Sequence, residues 1–303
     1  MIPLPKDLAT FLRNSNVEIV RRNEIAHATQ YFLSRGPDSA NLTVYNTGKV
    51  VPGGKHSELR KMIEERLPKK TPSSPHKDGG SRPPLSATPR LGIDEAGKGD
   101  YFGPLVVAGV RVLDEESASR LQEIGVRDSK SLSTSQAHSF ADRILGALGT
   151  ENACVVSLLP REFERRRSAC GDNVNRLLEE IDAEIIGKLK GKVECIVVDQ
   201  FAASARAFLE QFVPEGVRLE VRTKADSDDA AVAAASILAR ARYLEDLDRL
   251  SGEVGFELPR GATHVIESGR RVVRENDYEK LKDVAKVSFS TTAKVLSGLG
   301  EKR

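Results

Sequence analysis

Apolar positions along the chain follow two periods, and the change from one to the other marks the elements. In residues 41–51 Leu42 and Val44 alternate with Thr43 and Tyr45, and Asn46-Thr47-Gly48 leads into Lys49-Val50-Val51. Alternation closed by turn-forming residues predicts a β-hairpin. Residues 57–67 take up helical spacing, with Leu59, Met62, Ile63 and Leu67 on one face and Ser57 as N-cap. With a short amphipathic segment at 7–13, these elements predict a small α+β domain over residues 1–67, near the lower size limit for independent folding. Residues 68–90 break both periods. They are rich in Pro, Ser and Gly and almost without apolar residues, so they read as a flexible linker in which His76 is solvated and idle.

From residue 91 to 303 the periods interleave. Strands are predicted at 91–94, at 105–112 (LVVAGVRV), at 153–159, at 194–199 (ECIVVD) and, shorter, at 219–223. Helices are predicted at 115–124, at 133–148 with Ser133 as cap, and at 173–189 with a stripe through Val174, Leu177, Leu178, Ile181, Ile185 and Ile186. A long helix spans 230–250, where AAVAAASILA offers a small-residue face for close packing, and one or two helices fill 278–299. Strands alternating with helices predict an α/β layered domain with a sheet between helices.

Composition narrows this picture. The 303 residues are 39% hydrophobic and 30% charged, as expected for one large or two ordinary soluble domains. No apolar run reaches transmembrane length, and residues 1–7 lack the apolar segment of a secretory signal. Cys154, Cys170 and Cys195 are scattered and odd in number, which favours reduced thiols in a cytoplasmic protein over disulfides or zinc. The net charge of +2 conceals an asymmetry. Residues 1–90 carry 15 Lys+Arg against 8 Asp+Glu, whereas the remainder carries 31 against 36. A basic front suits a polyanion, and an acidic remainder suits cations, although ordinary solvated surface charge fits equally well.

The candidate chemistry centres on Gly92-Ile93-Asp94-Glu95-Ala96-Gly97-Lys98-Gly99. Adjacent strand residues face opposite ways, so at least one of Asp94 and Glu95 turns inward, which is costly without a partner or a cation. Gly92-x-x-x-x-Gly97-Lys98 approaches a P-loop, but Gly99 lacks the hydroxyl that would hold Mg²⁺, and two carboxylates would repel a triphosphate. Asp199 ends a second strand, and Asp226 precedes the long helix, where it is either a site residue or a simple cap, with Asp228 and Asp229 as rivals. Carboxylates without His or Cys companions favour a hard cation, Mg²⁺ or Mn²⁺, and two such ions can clamp a phosphodiester.

These residues carry a resemblance. Gly92 to Gly99 resembles the signature of the type 2 ribonucleases H, and Asp100-Tyr101-Phe102-Gly103-Pro104 resembles the ribonuclease HIII branch. Asp128-Ser129-Lys130, Asn173-x-Asn175-x-Leu177-Leu178, Val198-Asp199-Gln200-Phe201 and Thr223-Lys224-Ala225-Asp226 with the following helix agree in order. Residues 42–50 are similar to the extra TATA-binding-protein-like domain of that branch. The resemblance implies a ribonuclease H-like mixed sheet with flanking helices, preceded by that small domain. It implies cleavage of RNA in RNA/DNA hybrids, leaving a 5′-phosphate and a 3′-hydroxyl. Asp94, Glu95, Asp199 and Asp226 would be catalytic and would hold two ions of Mg²⁺ or Mn²⁺. Gly97, Lys98 and Gly99 would approach the RNA, and Lys130, Lys224 and Arg240 are candidate phosphate contacts. Tyr45 and Lys49 are candidate duplex contacts, beside the alternative that Tyr45 packs on its own sheet; His264 is more simply a loop histidine. The HIII branch usually has Glu where this chain has Asp226, and the HII branch usually has Arg where it has Lys98. A monomer is expected, with the hybrid as partner and no protein or membrane partner. HII-like cutting at single ribonucleotides, a non-catalytic hybrid binder and an ATP-binding enzyme stand as alternatives.

Overall fold

A computed structural model describes residues 2–25, 28–45, 50–53, 57–66, 88–126, 132–262, 264–297 and 299. Contacts divide the chain into two compact units, residues 1–79 and 80–303. Leu67, residues 68–87 of the expected linker, residues 46–49 with the expected turn, and the segment Asp128-Ser129-Lys130 lie outside the described residues, and with them Lys49 and Lys130.

The first unit runs α1 (Lys6–Asn14), β1 (Glu18–Ile25), β2 (Ala28–Arg35), β3 (Asp38–Tyr45), β4 (Val50–Gly53) and α2 (Glu58–Arg66). Its four strands form one antiparallel sheet in sequence order. The two arms of the expected hairpin pair, Val44 with Val50, but β1 and β2 extend them to a full sheet. β1 reads EIVRRNEI, and Val20 is 61% exposed, so charge hides the alternation. One sheet face supplies Tyr31, Leu33, Leu42 and Val44, and the helices cover it with Leu8, Leu12, Leu59 and Ile63. Tyr45, half-buried, pairs with Ala28 at the sheet's end.

The second unit contains β5 (Arg90–Ala96), β6 (Leu105–Val112), α3 (Glu115–Ile124), α4 (Thr134–Leu148), β7 (Ala153–Leu158), α5 (Pro160–Ala169), α6 (Val174–Leu189), β8 (Cys195–Asp199), α7 (Ala205–Leu209), β9 (Arg218–Arg222), α8 (Ala230–Val254), α9 (Ile266–Glu275), α10 (Tyr278–Val284) and α11 (Thr291–Ser297). The sheet order is β7-β6-β5-β8-β9. β5 pairs antiparallel with β6 and parallel with β8, so it joins an antiparallel half to a parallel half. Alternation along β5 sorts its side chains: Leu91 and Ile93 pack with Leu177, Leu178, Ile181 and Ile185 of α6, whereas Gly92 turns to α8. A Cβ at Gly92 would overlap Ala231 C and Val232 N and stand 2.8 Å from Ala231 O. The absent side chain and the alanine-rich start of α8 together let helix and strand backbones touch. Arg90 opens β5 rather than closing a linker.

Asp229, not Asp226, caps α8: its Oδ1 accepts from the amides of Ala231 and Val232, and its Oδ2 accepts from Arg90 at 2.5 Å. Helices α5 and α9 escaped the sequence reading. In α5, PREFERRRSA, only Pro160 and Phe163 are buried, so no stripe exists to detect. All three cysteines are free thiols. No helix among the described residues is long and apolar enough to cross a membrane.

Candidate active site

Parallel pairing of β5 with β8 sets the geometry. Ile93 is in register with Val198, so Asp94 and Asp199 follow at the carboxyl ends of adjacent strands. Crevices beyond such ends are where α/β sheets bind ligands. Asp94, Glu95, Gly97, Lys98 and Asp199 line one cleft of about 420 Å³, together with Asp100, Ser236, Arg240, Tyr243 and Arg260. Asp94 is only 7% exposed. Its Oδ1 accepts from the Glu95 amide at 2.8 Å, and the Ser236 hydroxyl of α8 also bonds it. Burial pushes its carboxyl well above the usual range. Glu95 adds to this, and Asp199 adds less; the two hydrogen bonds act against it. Asp199 Oδ1 accepts from the Ala225 amide at 2.9 Å, which fixes the turn carrying Asp226 against the end of β8. Asp226 itself is buried, 5% exposed, and does not line the cleft. Among the described residues no three Asp, Glu, His or Cys side chains converge tightly enough to grip one ion as they stand.

The glycine-lysine-glycine turn joins β5 to β6, strand to strand. A P-loop instead cradles phosphates at the start of a helix, so the near-match has no such site here. Gly97 has φ +79°, and a Cβ there would overlap Pro104 O and stand 2.7 Å from Tyr243 Cδ2. Gly99 has open space around it. Lys98 Nζ donates to Asn175 Oδ1 at 3.1 Å and to Phe201 O at 3.3 Å, and lies over the Phe201 ring. Lys224 is exposed in a left-handed turn, away from the cleft lining, and His264 is exposed.

The segment after the turn is held by the far end of the chain. Lys286, fully buried, donates from Nζ to Asp100 O and Gly103 O, each at 2.8 Å. Its amide bonds Tyr101 O, Gly103 N bonds Val284 O, and Tyr101 N bonds Gly261 O. Gly261 N in turn bonds Asp100 Oδ1 at 2.5 Å, and Tyr101 Oη meets Thr292 Oγ1 at 3.0 Å. Burial pulls the Lys286 ammonium down to about 7, against Asp100 and Glu164, which hold it up. The folded state therefore binds fewer protons than the unfolded state between pH about 7 and its ordinary 10.5, and stability contributed by this group rises with pH across that window. Lys286→Met is expected to lower the melting temperature by leaving two carbonyls without their donor. Its deficit against the wild type should widen from pH about 7 to about 9.5 in thermal melts; a constant deficit would refute this.

Sequence reasoning missed Ser236, Tyr243, Arg260 and Lys286. Only Ser236 left a trace, as the one hydroxyl in AAVAAASILA.

The family model described as Ribonuclease HII matches residues 91–292. Ribonuclease HIII of Protochlamydia amoebophila (strain UWE25) is 35% identical over 277 residues, covering 89% of this chain and 88% of its own. The chain belongs to the ribonuclease HIII family. It is an endoribonuclease with a ribonuclease H-like mixed α/β fold. Ribonuclease HIII of Geobacillus kaustophilus (strain HTA426) is 34% identical, covering 88% of both chains. The crystal structure of Bst-RNase HIII in complex with Mn2+ superposes with TM-score 0.65 at 28% identity and covers 99% of each chain. Membership in the ribonuclease HIII family accounts for the order of motifs from Gly92 to Asp226 and for the small domain in front of them.

Proposed function

We propose that the chain cuts the RNA strand of RNA/DNA hybrids, with Asp94, Glu95, Asp199 and Asp226 as the carboxylates that hold two divalent ions. The observation that carries this is the lining of one cleft by Asp94, Glu95 and Asp199 at the ends of β5 and β8, with Asp94 buried under the charge of the other two. The donor set fits a hard cation. It is all carboxylate, and a bound cation offsets both the burial and the like-charge repulsion that raise the Asp94 carboxyl. The Mn2+ complex of Bst-RNase HIII supports the same choice of metal class. When bound, Mg²⁺ or Mn²⁺ supplies activation of water and charge neutralisation at the phosphodiester, giving a 5′-phosphate and a 3′-hydroxyl.

The residues of the chain do the rest. The Glu95 amide and the Ser236 hydroxyl orient Asp94, and the Ala225 amide orients Asp199. Arg240 and Arg260 give the cleft positive charge for flanking phosphates. The open space at Gly99 admits a ribose and its 2′-hydroxyl, the group that separates RNA from DNA. The first unit, with its basic excess and Tyr45 on its sheet, binds the duplex without contributing to cleavage itself. The chain acts as a monomer in the cytoplasm.

The deciding assay gives the purified chain, with Mg²⁺ and separately with Mn²⁺, three labelled duplexes: an RNA/DNA hybrid, DNA with one embedded ribonucleotide, and plain DNA. Cleavage of the hybrid at several positions is expected. Cutting only at the single ribonucleotide would assign HII-like specificity, and no cutting with either metal would refute the proposal. Deleting residues 1–67 is expected to weaken hybrid binding about tenfold or more in a filter-binding titration, because a set of phosphate contacts is lost. Unchanged binding would assign this domain another partner.

A further inference from the structure

Helix α6 carries a second acidic feature that the four expected ligands do not use. Asn175, Glu179 and Asp182 stand at i, i+4 and i+7, so they share one helix face. That face meets the end of β5: Asn175 accepts from Lys98, three residues beyond Glu95. Glu95 has the parity of Leu91 and Ile93, whose side chains pack on α6. Asp182 is 2% exposed, and its Oδ2 has no hydrogen-bond partner among the described residues. Glu179, also buried, is satisfied: Ser204 Oγ donates to its Oε1 at 2.5 Å, and Arg176 lies 3.5 Å from Oε2. Burial pushes the Asp182 carboxyl well above the usual range, the charges of Glu95, Asp94 and Glu179 push it the same way, and Lys98 opposes them. A buried carboxylate oxygen without a donor, set behind like charges, is costly unless something positive completes it.

We infer that Asp182 is a fifth carboxylate of the cation site, standing behind Glu95 on α6 and strengthening cation binding through its charge and through water held on the ion. This rests on the proposed assignment of Asp94 and Glu95 as metal-holding residues. Outer groups of this kind orient the ligands in front of them and set affinity. Asp182 also adds to the repulsion within the metal-free protein, so its removal relieves that state while weakening the bound one.

The test is calorimetric titration of the full-length chain with Mn²⁺, paired with melting curves without metal, for the wild type, Asp94→Asn, Asp182→Asn and Asp182→Ser. Asp182→Asn is expected to bind Mn²⁺ about tenfold more weakly and to melt higher than the wild type in metal-free buffer. Asp182→Ser, smaller than the residue it replaces, carries the same expectation if the amide does not fold. Wild-type affinity in either Asp182 variant, alongside lost affinity in Asp94→Asn, would overturn the inference and leave the site assignment standing. Failure of both Asp182 variants to fold would also overturn it, because the inference requires the metal-free protein to gain from their neutral side chains. Absence of Mn²⁺ binding to the wild type, or normal binding to Asp94→Asn, would instead remove the site assignment on which the inference depends.

Discussion

Asp94→Asn is expected to lower hybrid cleavage by at least about 10³-fold, equivalent to ~4 kcal/mol of transition-state stabilisation, while leaving hybrid affinity within about threefold. The amide keeps the shape of the carboxylate but not its charge. It can still accept from the Glu95 amide, so the end of β5 stays in place. What disappears is the buried anion between Glu95 and Asp199. The same substitution should raise the melting temperature in metal-free buffer. Burial and Glu95 raise the Asp94 carboxyl well above its ordinary 3.8. The folded state thus holds a proton that the unfolded state has released, and the carboxylate costs stability at every pH above that window. A neutral amide removes this cost. Single-turnover cleavage, a binding titration and a thermal melt on one preparation check all three expectations. Normal cleavage would remove Asp94 from the mechanism.

Gly92→Ala is expected to be the most damaging single methyl group in the catalytic unit. The new Cβ would overlap the backbone of Ala231 and Val232, which cannot swing aside as a side chain can. β5 and α8 must then separate, opening the core along Ala231, Ala234 and Ala235. We expect a loss of about 3 kcal/mol, which is a fall of roughly 6–12 °C in melting temperature for a unit of this size. Cleavage should fall too, because Asp94 and Ser236 lie on the two elements forced apart. A circular-dichroism melt suffices as the measurement. A variant melting within about 2 °C of the wild type would mean that strand and helix approach less closely than described.

Much of this was legible in the chain. β6 and β8 are β-branched runs, α6 and α8 carry their stripes openly, and Asp94-Glu95 stands out because two adjacent acids at the end of a strand need a reason. Other parts were hidden for physical causes. In β1 a register shift between Ile19 and Arg21 leaves Val20 exposed among charged neighbours, so the alternation is broken. α5 buries only Pro160 and Phe163 and therefore has no period. Capping of α8 was ambiguous among Asp226, Asp228 and Asp229 because the rule specifies a residue type just before a helix, and three qualify; only the amide contacts of Asp229 decide it. Lys286 and Asp182 were illegible in principle. A lysine or aspartate in a helical region defaults to solvent, and their burial follows from partners more than eighty residues away in sequence.

The hold of Lys286 and Thr292 on residues 100–103 has a consequence for folding. These contacts span 183 to 191 positions along the chain. A chain folded only through α8 contains every acid of the cleft, and Tyr243 and Leu247 already stand against Gly103, yet the carbonyls of Asp100 and Gly103 lack the donor that Lys286 supplies. The last fastening of the cleft edge waits for the segment after α10 to dock, and such distant closure is slow. Folding of this unit thus ends, rather than begins, at the turn beside its acids.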